Sequence, residues 1–378
     1  MTLGIALIGT GWMARAHTHA VRALPDLGLD LPDVRLVTVA SRDKARATRA
    51  ADRLGYQHAT DDWRAAIDDP GVDIVVNVAA NESHAEPSIA ALGAGKHVVC
   101  EKPLAIDATT AAAMAAAVPP DLVAVCGYNY RFVPALRLAR DLIKEGRLGT
   151  IRHVRLSYLQ DWAATAAARD GWKFADPVAG NSVADYSHII DLLCWLVGEP
   201  ARVCASIATL AEPDAPAGLR RAEPGTDHED WYAALVELTS GATAVLEASR
   251  VATASKGRQL VEIFGSDGSL RWDMEDLNRL HIAQTRDDEQ DSRTAGPRAV
   301  LVTEPSQPFL DTWWAPGHIL GWEHTLVHQW IAVLNQITGQ GGAADRAASF
   351  TEGLRACRIT DAIRRSAADG AWCPIDRG

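Results

Sequence analysis

The chain has 378 residues, nearly half of them apolar, with 48 acidic against 37 basic side chains. That length fits two domains, the composition is globular rather than disordered, and a net charge of -11 excludes nucleic acid as the main partner. No apolar run is long enough to span a membrane, and the N-terminus lacks the basic and apolar blocks of a signal peptide. Six scattered cysteines without a C-x-x-C pair read as reduced thiols, so a cytoplasmic protein with no disulfide, metal or membrane partner is expected.

The first part of the chain alternates between strand and helix signals. Apolar runs at 3–8, 35–40, 73–78, His97–Cys100 and 122–126 read as strands, and 12–24, 45–54, 86–93 and 109–117 as helices. Proline, glycine and aspartate mark 25–33 as a loop. Runs without polar alternation suit strands covered on both faces, so the pattern predicts βαβ units on a parallel sheet, an α/β domain of Rossmann type over 1–127.

Beyond Gly127 the character changes. A helix is predicted over 135–145, followed by Ile151–Leu159, where apolar and polar residues alternate as in a strand with one wet face. One continuous helix is expected over 185–196. Strands follow at 202–209, 233–238, 242–251, 259–265 and 269–273, then a polar loop at 286–298 and helices at 323–338 and 350–365. The region 128–378 is therefore expected to be α+β, with an open, mostly antiparallel sheet and a late helix packing back on the first domain.

Gly9-Thr10-Gly11-Trp12-Met13-Ala14 fits G-x-G-x-x-G/A between the first strand and the first helix. Gly9 allows the tight turn, Gly11 lets a pyrophosphate approach, and Ala14 permits close helix–strand packing, so Gly9, Gly11, Trp12 and Met13 are candidate contacts to a dinucleotide. The second strand ends at Ser41-Arg42-Asp43-Lys44, where an NAD site commonly has an acid for the ribose hydroxyls. A hydroxyl followed by a guanidinium suits a 2′-phosphate. NADP is thus favoured slightly over NAD, with Ser41 and Arg42 as contacts. The competing reading makes Asp43 a helix cap among solvated charges.

Three further segments carry a resemblance. They are Asn81-Glu82-Ser83-His84, the run from Gly95 to Leu104 containing Glu101-Lys102-Pro103, and Asp185-Tyr186-Ser187-His188-Ile189-Ile190-Asp191. With the glycine turn they resemble the Gfo/Idh/MocA oxidoreductases, which include glucose–fructose oxidoreductase and inositol dehydrogenases. Gly321-Trp322-Glu323-His324 and Phe350-x-x-Gly353-Leu354 look like that family's ending, so the resemblance covers nearly the whole chain. It implies NAD(P)-dependent chemistry on sugars, cyclitols and related polyols, and a homodimer or homotetramer formed through the second domain. Lys102 then matches the lysine beside nicotinamide and substrate, His188 the acid/base and Asp191 a pocket aspartate. Asn81, His84 and Glu101 fall on the cofactor side. Many members have an aspartate four residues before the histidine. Here Asp185 precedes His188 by three, a spacing that still shares one helix face. Ala80 stands where proline is common.

The residues themselves support this chemistry. Oxidising a secondary alcohol needs an acceptor for a hydride and a group that takes the hydroxyl proton; histidine has the right pKa, and an adjacent lysine stabilises the alkoxide. Tyr128, Trp162, Arg169, Trp172 and His324 are further candidates for contact with a hydroxylated ring. His324 and His328 have the spacing of a helical metal pair but lack a third ligand, and no metal is expected. Two alternatives stay open, an NAD-dependent glycosidase on the same fold and a non-catalytic dinucleotide-binding sensor.

Overall fold

The computed structural model describes residues 1–165, 169, 174, 182–210, 218–223, 228–285, 296–342 and 345–376. The chain divides into two compact units, Met1–Phe132 with Gly321–Cys357, and Val133–Leu320 with Arg358–Gly378. The stretch 321–357, expected within the second domain apart from its late helix, thus groups with the first unit.

In the first unit, β1 (Thr2–Ile8), β2 (Asp33–Ala40), β3 (His58–Thr60), β4 (Ile74–Asn77), β5 (His97–Cys100) and β6 (Ala124–Cys126) form one parallel sheet. Their order is β3-β2-β1-β4-β5-β6. The direction of winding reverses between β1 and β4, the switch point where open α/β sheets bind ligands. β4 is buried along its whole length and β1 from Leu3 onward, as strands covered by helices must be. Helices α1 (Trp12–Ala23), α2 (Lys44–Leu54), α3 (Trp63–Ile67), α4 (Ala85–Gly93) and α5 (Ala108–Ala116) connect them. The short β3 and α3 were not predicted, because three to five residues show no period.

The second unit holds α6 (Pro134–Lys144), β7 (Ile151–Leu159), α7 (Ser182–Asp185), α8 (His188–Leu196), β8 (Pro200–Leu210), β9 (Leu219–Arg221), β10 (Trp231–Leu238), β11 (Thr243–Ser249), β12 (Arg258–Gly265), β13 (Gly268–Asp273), β14 (Arg279–Gln284) and β15 (Arg298–Leu301). Later come α9 (Glu323–Ile337) in the first unit, α10 (Phe350–Asp369), and β16 (Cys373–Pro374) in the second. The sheet runs β15-β14-β13-β12-β7-β11-β10-β8-β16, with β9 also on β8. It is antiparallel except where β11 pairs in parallel with β7. On β10, Tyr232, Ala234, Val236 and Leu238 are buried while Leu235 is exposed, the expected one-sided alternation. Every residue of α8 is buried, and the helix packs on β7 and α6.

One expectation is corrected. The helix predicted over 185–196 is interrupted, with α7 ending at Asp185 and α8 starting at His188. Around the junction the backbone bonds shorten to a three-residue span, Ser187 N–H to the Ala184 carbonyl and Ile189 N–H to the Tyr186 carbonyl. Asp185 and His188 therefore flank a break instead of lying on one continuous α-helix.

Candidate active site

In the first unit the turn after β1 has the geometry its glycines foretold. Gly9 has φ +107°, and a Cβ there would lie 2.7 Å from the Val78 carbonyl oxygen, so only glycine fits. A Cβ on Gly11 would meet nothing within 4 Å, leaving room for a ligand's approach. Gly11 caps α1 without a side-chain hydrogen bond, so the first N–H groups of the helix remain for an anion. Ala14 is fully buried, Met13 is half-buried, and Trp12 is 62% exposed with its ring 5.3 Å from that of Trp322.

At the end of β2, Ser41 is half-buried and donates its N–H to the Thr60 carbonyl, while Arg42 is exposed. Asp43 turns to cap α2, accepting from Arg46 N–H at 2.9 Å, and that bond lowers its carboxyl below the usual range. The Lys44 ammonium donates to the Ala59 carbonyl at 2.5 Å. The Asp43 carboxylate is thus engaged by the helix it starts.

Lys102 follows β5 at the carboxyl end of the sheet and precedes a cis bond to Pro103. Its N–H donates to Glu101 Oε2 at 3.1 Å, and Glu101 Oε1 lies 3.0 Å from His17 Nε2. His84 is almost fully buried, with Nδ1 2.8 Å from the Pro103 carbonyl oxygen and Nε2 3.3 Å from that of Ala79. Burial lowers its pKa, so the ring is neutral near pH 7 and donates to one of these carbonyls only; the shorter contact marks Nδ1 as the donor. Asn81 opens the short turn Asn81–Ser83. Asn77, buried at the end of β4, shapes that turn by donating to the carbonyls of Ser83 and His84. Sequence reading passed over Asn77 and His17; a polar residue closing an apolar strand was the available signal for the first.

Tyr128 is buried just before the turn Asn129–Phe132. His324, in the same unit, accepts from Gly321 N–H at 3.1 Å, and burial lowers its pKa. His328 donates through Nδ1 to the Phe132 carbonyl at 2.9 Å, and burial pushes its pKa down to about 4. Among the described residues no group of three metal-ligating side chains is found.

In the second unit, His188 opens α8 and Asp191 sits in the same first turn, both buried. Asp185 is half-buried at the end of α7. The Tyr158 ring lies 4.9 Å from that of Tyr186 and 6.4 Å from that of His188. Tyr186 Oη accepts from Trp162 Nε1 at 3.2 Å and donates to Gln160 Oε1 at 3.1 Å. Burial pushes the Tyr186 pKa up, so the hydroxyl keeps its proton. Arg169 donates to Asp230 at 2.8 Å and to the Ala163 carbonyl at 3.2 Å, so its guanidinium is part of a buried ion cluster. Trp172 lies outside the described residues.

A parallel sheet with this switch point, an uncapped helix after a glycine turn, and a lysine at a neighbouring strand end define a dinucleotide-dependent oxidoreductase scaffold. The family model for the oxidoreductase family with NAD-binding Rossmann fold matches residues 3–127, and that for the GFO/IDH/MocA C-terminal domain matches 136–271. The chain is 34% identical to levoglucosan dehydrogenase of Pseudarthrobacter phenanthrenivorans over 99% of its own length and 98% of that protein's. It is 28% identical to inositol 2-dehydrogenase of Rhizobium meliloti over 71% of this chain and 75% of the other. A levoglucosan dehydrogenase solved with NADH and levoglucosan superposes with TM-score 0.90 at 32% identity, covering all of both chains. An oxidoreductase domain protein from Kribbella flavida gives 0.89 at 37%, again over both whole chains. The chain belongs to the Gfo/Idh/MocA oxidoreductase family and is an enzyme of that family.

Proposed function

We propose that this enzyme transfers a hydride between a nicotinamide dinucleotide and a secondary alcohol or ketone of a sugar, anhydro sugar or cyclitol. The observation that carries the reading is Lys102, placed by β5 at the carboxyl end of the sheet and two strands from the Gly9 turn. The free N–H groups of α1 and the open approach at Gly11 fit a pyrophosphate. Bound there, the nicotinamide supplies the hydride acceptor or donor.

The remaining steps belong to the side chains. The Lys102 ammonium stabilises charge developing on the substrate oxygen, and His188 takes or returns the hydroxyl proton. Asp185 joins Lys102 and His188 as a proposed catalytic group, Asp191 offers its carboxylate to ring hydroxyls, and Trp162 offers an apolar face to ring C–H groups. Tyr128, Arg169 and His324 complete the proposed substrate contacts. Ser41 and Arg42 favour the 2′-phosphate of NADP, a reading strengthened by the turn of Asp43 into its cap; the solved relative carries NADH. The exposed pair Leu235 and Val245, opposite each other on β10 and β11, supports association of copies through the sheet. No described helix is long and apolar enough to cross a membrane.

The test is a panel of sugars, anhydro sugars and cyclitols with NAD and with NADP, followed by nicotinamide absorbance. Turnover is expected on at least one, lowered about a hundredfold or more in Lys102→Met with cofactor binding retained. Lys102→Met turning over at the wild-type rate overturns the assignment.

A further inference from the structure

Three side chains form a buried hydrogen-bonded line that ends on the backbone of Lys102. Trp330 on α9 lies with Nε1 3.1 Å from His17 Nδ1. His17 Nε2 lies 3.0 Å from Glu101 Oε1, and Glu101 Oε2 receives the Lys102 N–H at 3.1 Å. Trp330 and His17 are 1% and 2% exposed, so water does not compete for these bonds. The donor and acceptor roles follow from chemistry alone. An indole nitrogen only donates, so His17 Nδ1 must accept; the ring proton is then on Nε2, which donates to Glu101. Glu101 accepts on both oxygens. The rings of His17 and Trp330 also meet edge to face at 6.0 Å and 86°, which fixes the tilt of the imidazole.

We propose that His17 is a positioning residue for Lys102, acting through Glu101 and itself oriented by Trp330. The proposal rests on the hydride-transfer reading for the meaning of Lys102, but the geometry it describes stands apart from that reading. His17 is on α1, the helix whose N-terminus opens the glycine turn, so one short helix bears both the proposed phosphate contact and the prop for the reacting lysine. On the far side of Lys102, His84 holds the Pro103 carbonyl. The lysine backbone is thereby gripped before and after, and its side chain leaves from a fixed point. A group that must meet a reacting oxygen within a fraction of an ångström gains from such support.

His17→Leu removes both bonds with little loss of volume, whereas His17→Gln keeps an N–H donor toward Glu101. Trp330→Phe keeps the ring and deletes the indole donor. In the full-length protein, hydrogen exchange of peptides spanning 98–104 should quicken in His17→Leu and stay near wild type in His17→Gln. With a substrate identified, kcat should fall about tenfold in His17→Leu, with KM for that substrate and dinucleotide affinity changed by less than about twofold, and His17→Gln should recover most of the loss. Trp330→Phe should give a smaller fall of the same kind. Unchanged exchange at 98–104 in His17→Leu overturns the proposal, as does an equal fall in His17→Leu and His17→Gln. If Lys102→Met keeps full activity, the catalytic reading fails, while the exchange experiment still decides whether His17 holds residue 102.

Discussion

Asp230 and Arg250 meet at 2.7 Å with both side chains essentially out of water. Arg169 binds the other oxygen of the same carboxylate at 2.8 Å, joined there by Thr209 Oγ1 and Leu210 N–H. Burial pushes the Asp230 carboxyl up, but the Arg250 charge and these hydrogen bonds outweigh it and leave its pKa lowered. The Arg250 and Arg169 guanidiniums also lie over the Phe174 ring, at 4.5 and 4.8 Å. Arg169, expected from sequence to contact substrate, thus also shares its guanidinium between Asp230 and the Ala163 carbonyl.

Removing the centre of that cluster should be costly. Asp230→Asn leaves Arg250 buried without its countercharge, and a loss of about 3–5 kcal/mol is expected in denaturant unfolding. Pairing it with Arg250→Met should recover a large part. Additive losses in the double variant would mean that the two groups are not coupled.

His188→Ala should slow turnover and remove an ionisation near neutrality from the pH profile of kcat/KM. The motive is the place of His188 at the start of α8, with Asp191 in the same first turn. A profile unchanged in shape would transfer the proton to another group, with Lys102 first in line.

Cofactor choice should turn on residue 41. Wild type is expected to bind NADP more tightly than NAD, and Ser41→Asp to reverse that order, because a carboxylate bonds a ribose diol and repels a 2′-phosphate. Fluorescence titration of both dinucleotides on both proteins measures this. An unmoved ratio in Ser41→Asp would place the ribose away from residue 41.

Acid should destabilise the protein through His328. In the unfolded chain its pKa is near 6.5, and burial takes it to about 4 in the fold. Above both values the two states hold the same proton count. As pH falls from about 6.5 toward about 4, the unfolded state gains a proton that the native state refuses, and stability drops by roughly 3 kcal/mol. His84, His97 and His324 shift in the same direction, again chiefly through burial. His328→Asn should flatten this acid limb by about one proton, and an unchanged slope in thermal melts from pH 7 to 4 would show that the ring already titrates normally.

The legible part of this molecule is that in which one period governs a long stretch. Apolar runs located every strand of the first sheet except the three-residue β3, and β7 was bounded to the residue. The glycine turn was legible because Gly9 and Gly11 are constrained by different things, a backbone clash and an open approach. The break between Asp185 and His188 was not legible, since a turn tightened to three-residue bonds keeps an almost helical spacing. Nor could spacing show that His17 and Trp330, 313 positions apart, share a hydrogen bond. Such pairs are fixed only when α1 and α9 pack together.

The first unit is assembled from Met1–Phe132 and Gly321–Cys357, and this has a consequence for synthesis. A ribosome delivers the glycine turn, the sheet and Lys102 long before α9 exists. During that interval the buried side of α1 that receives Trp330 has no cover, and Asn129 waits for the hydroxyl of Thr325. Domains generally fold as units as they emerge, but this one is complete only when nearly the whole chain has been made. Chains stopped short of about residue 350 should therefore present an unfinished nucleotide domain to chaperones and proteases, whatever the state of the sheet encoded in between.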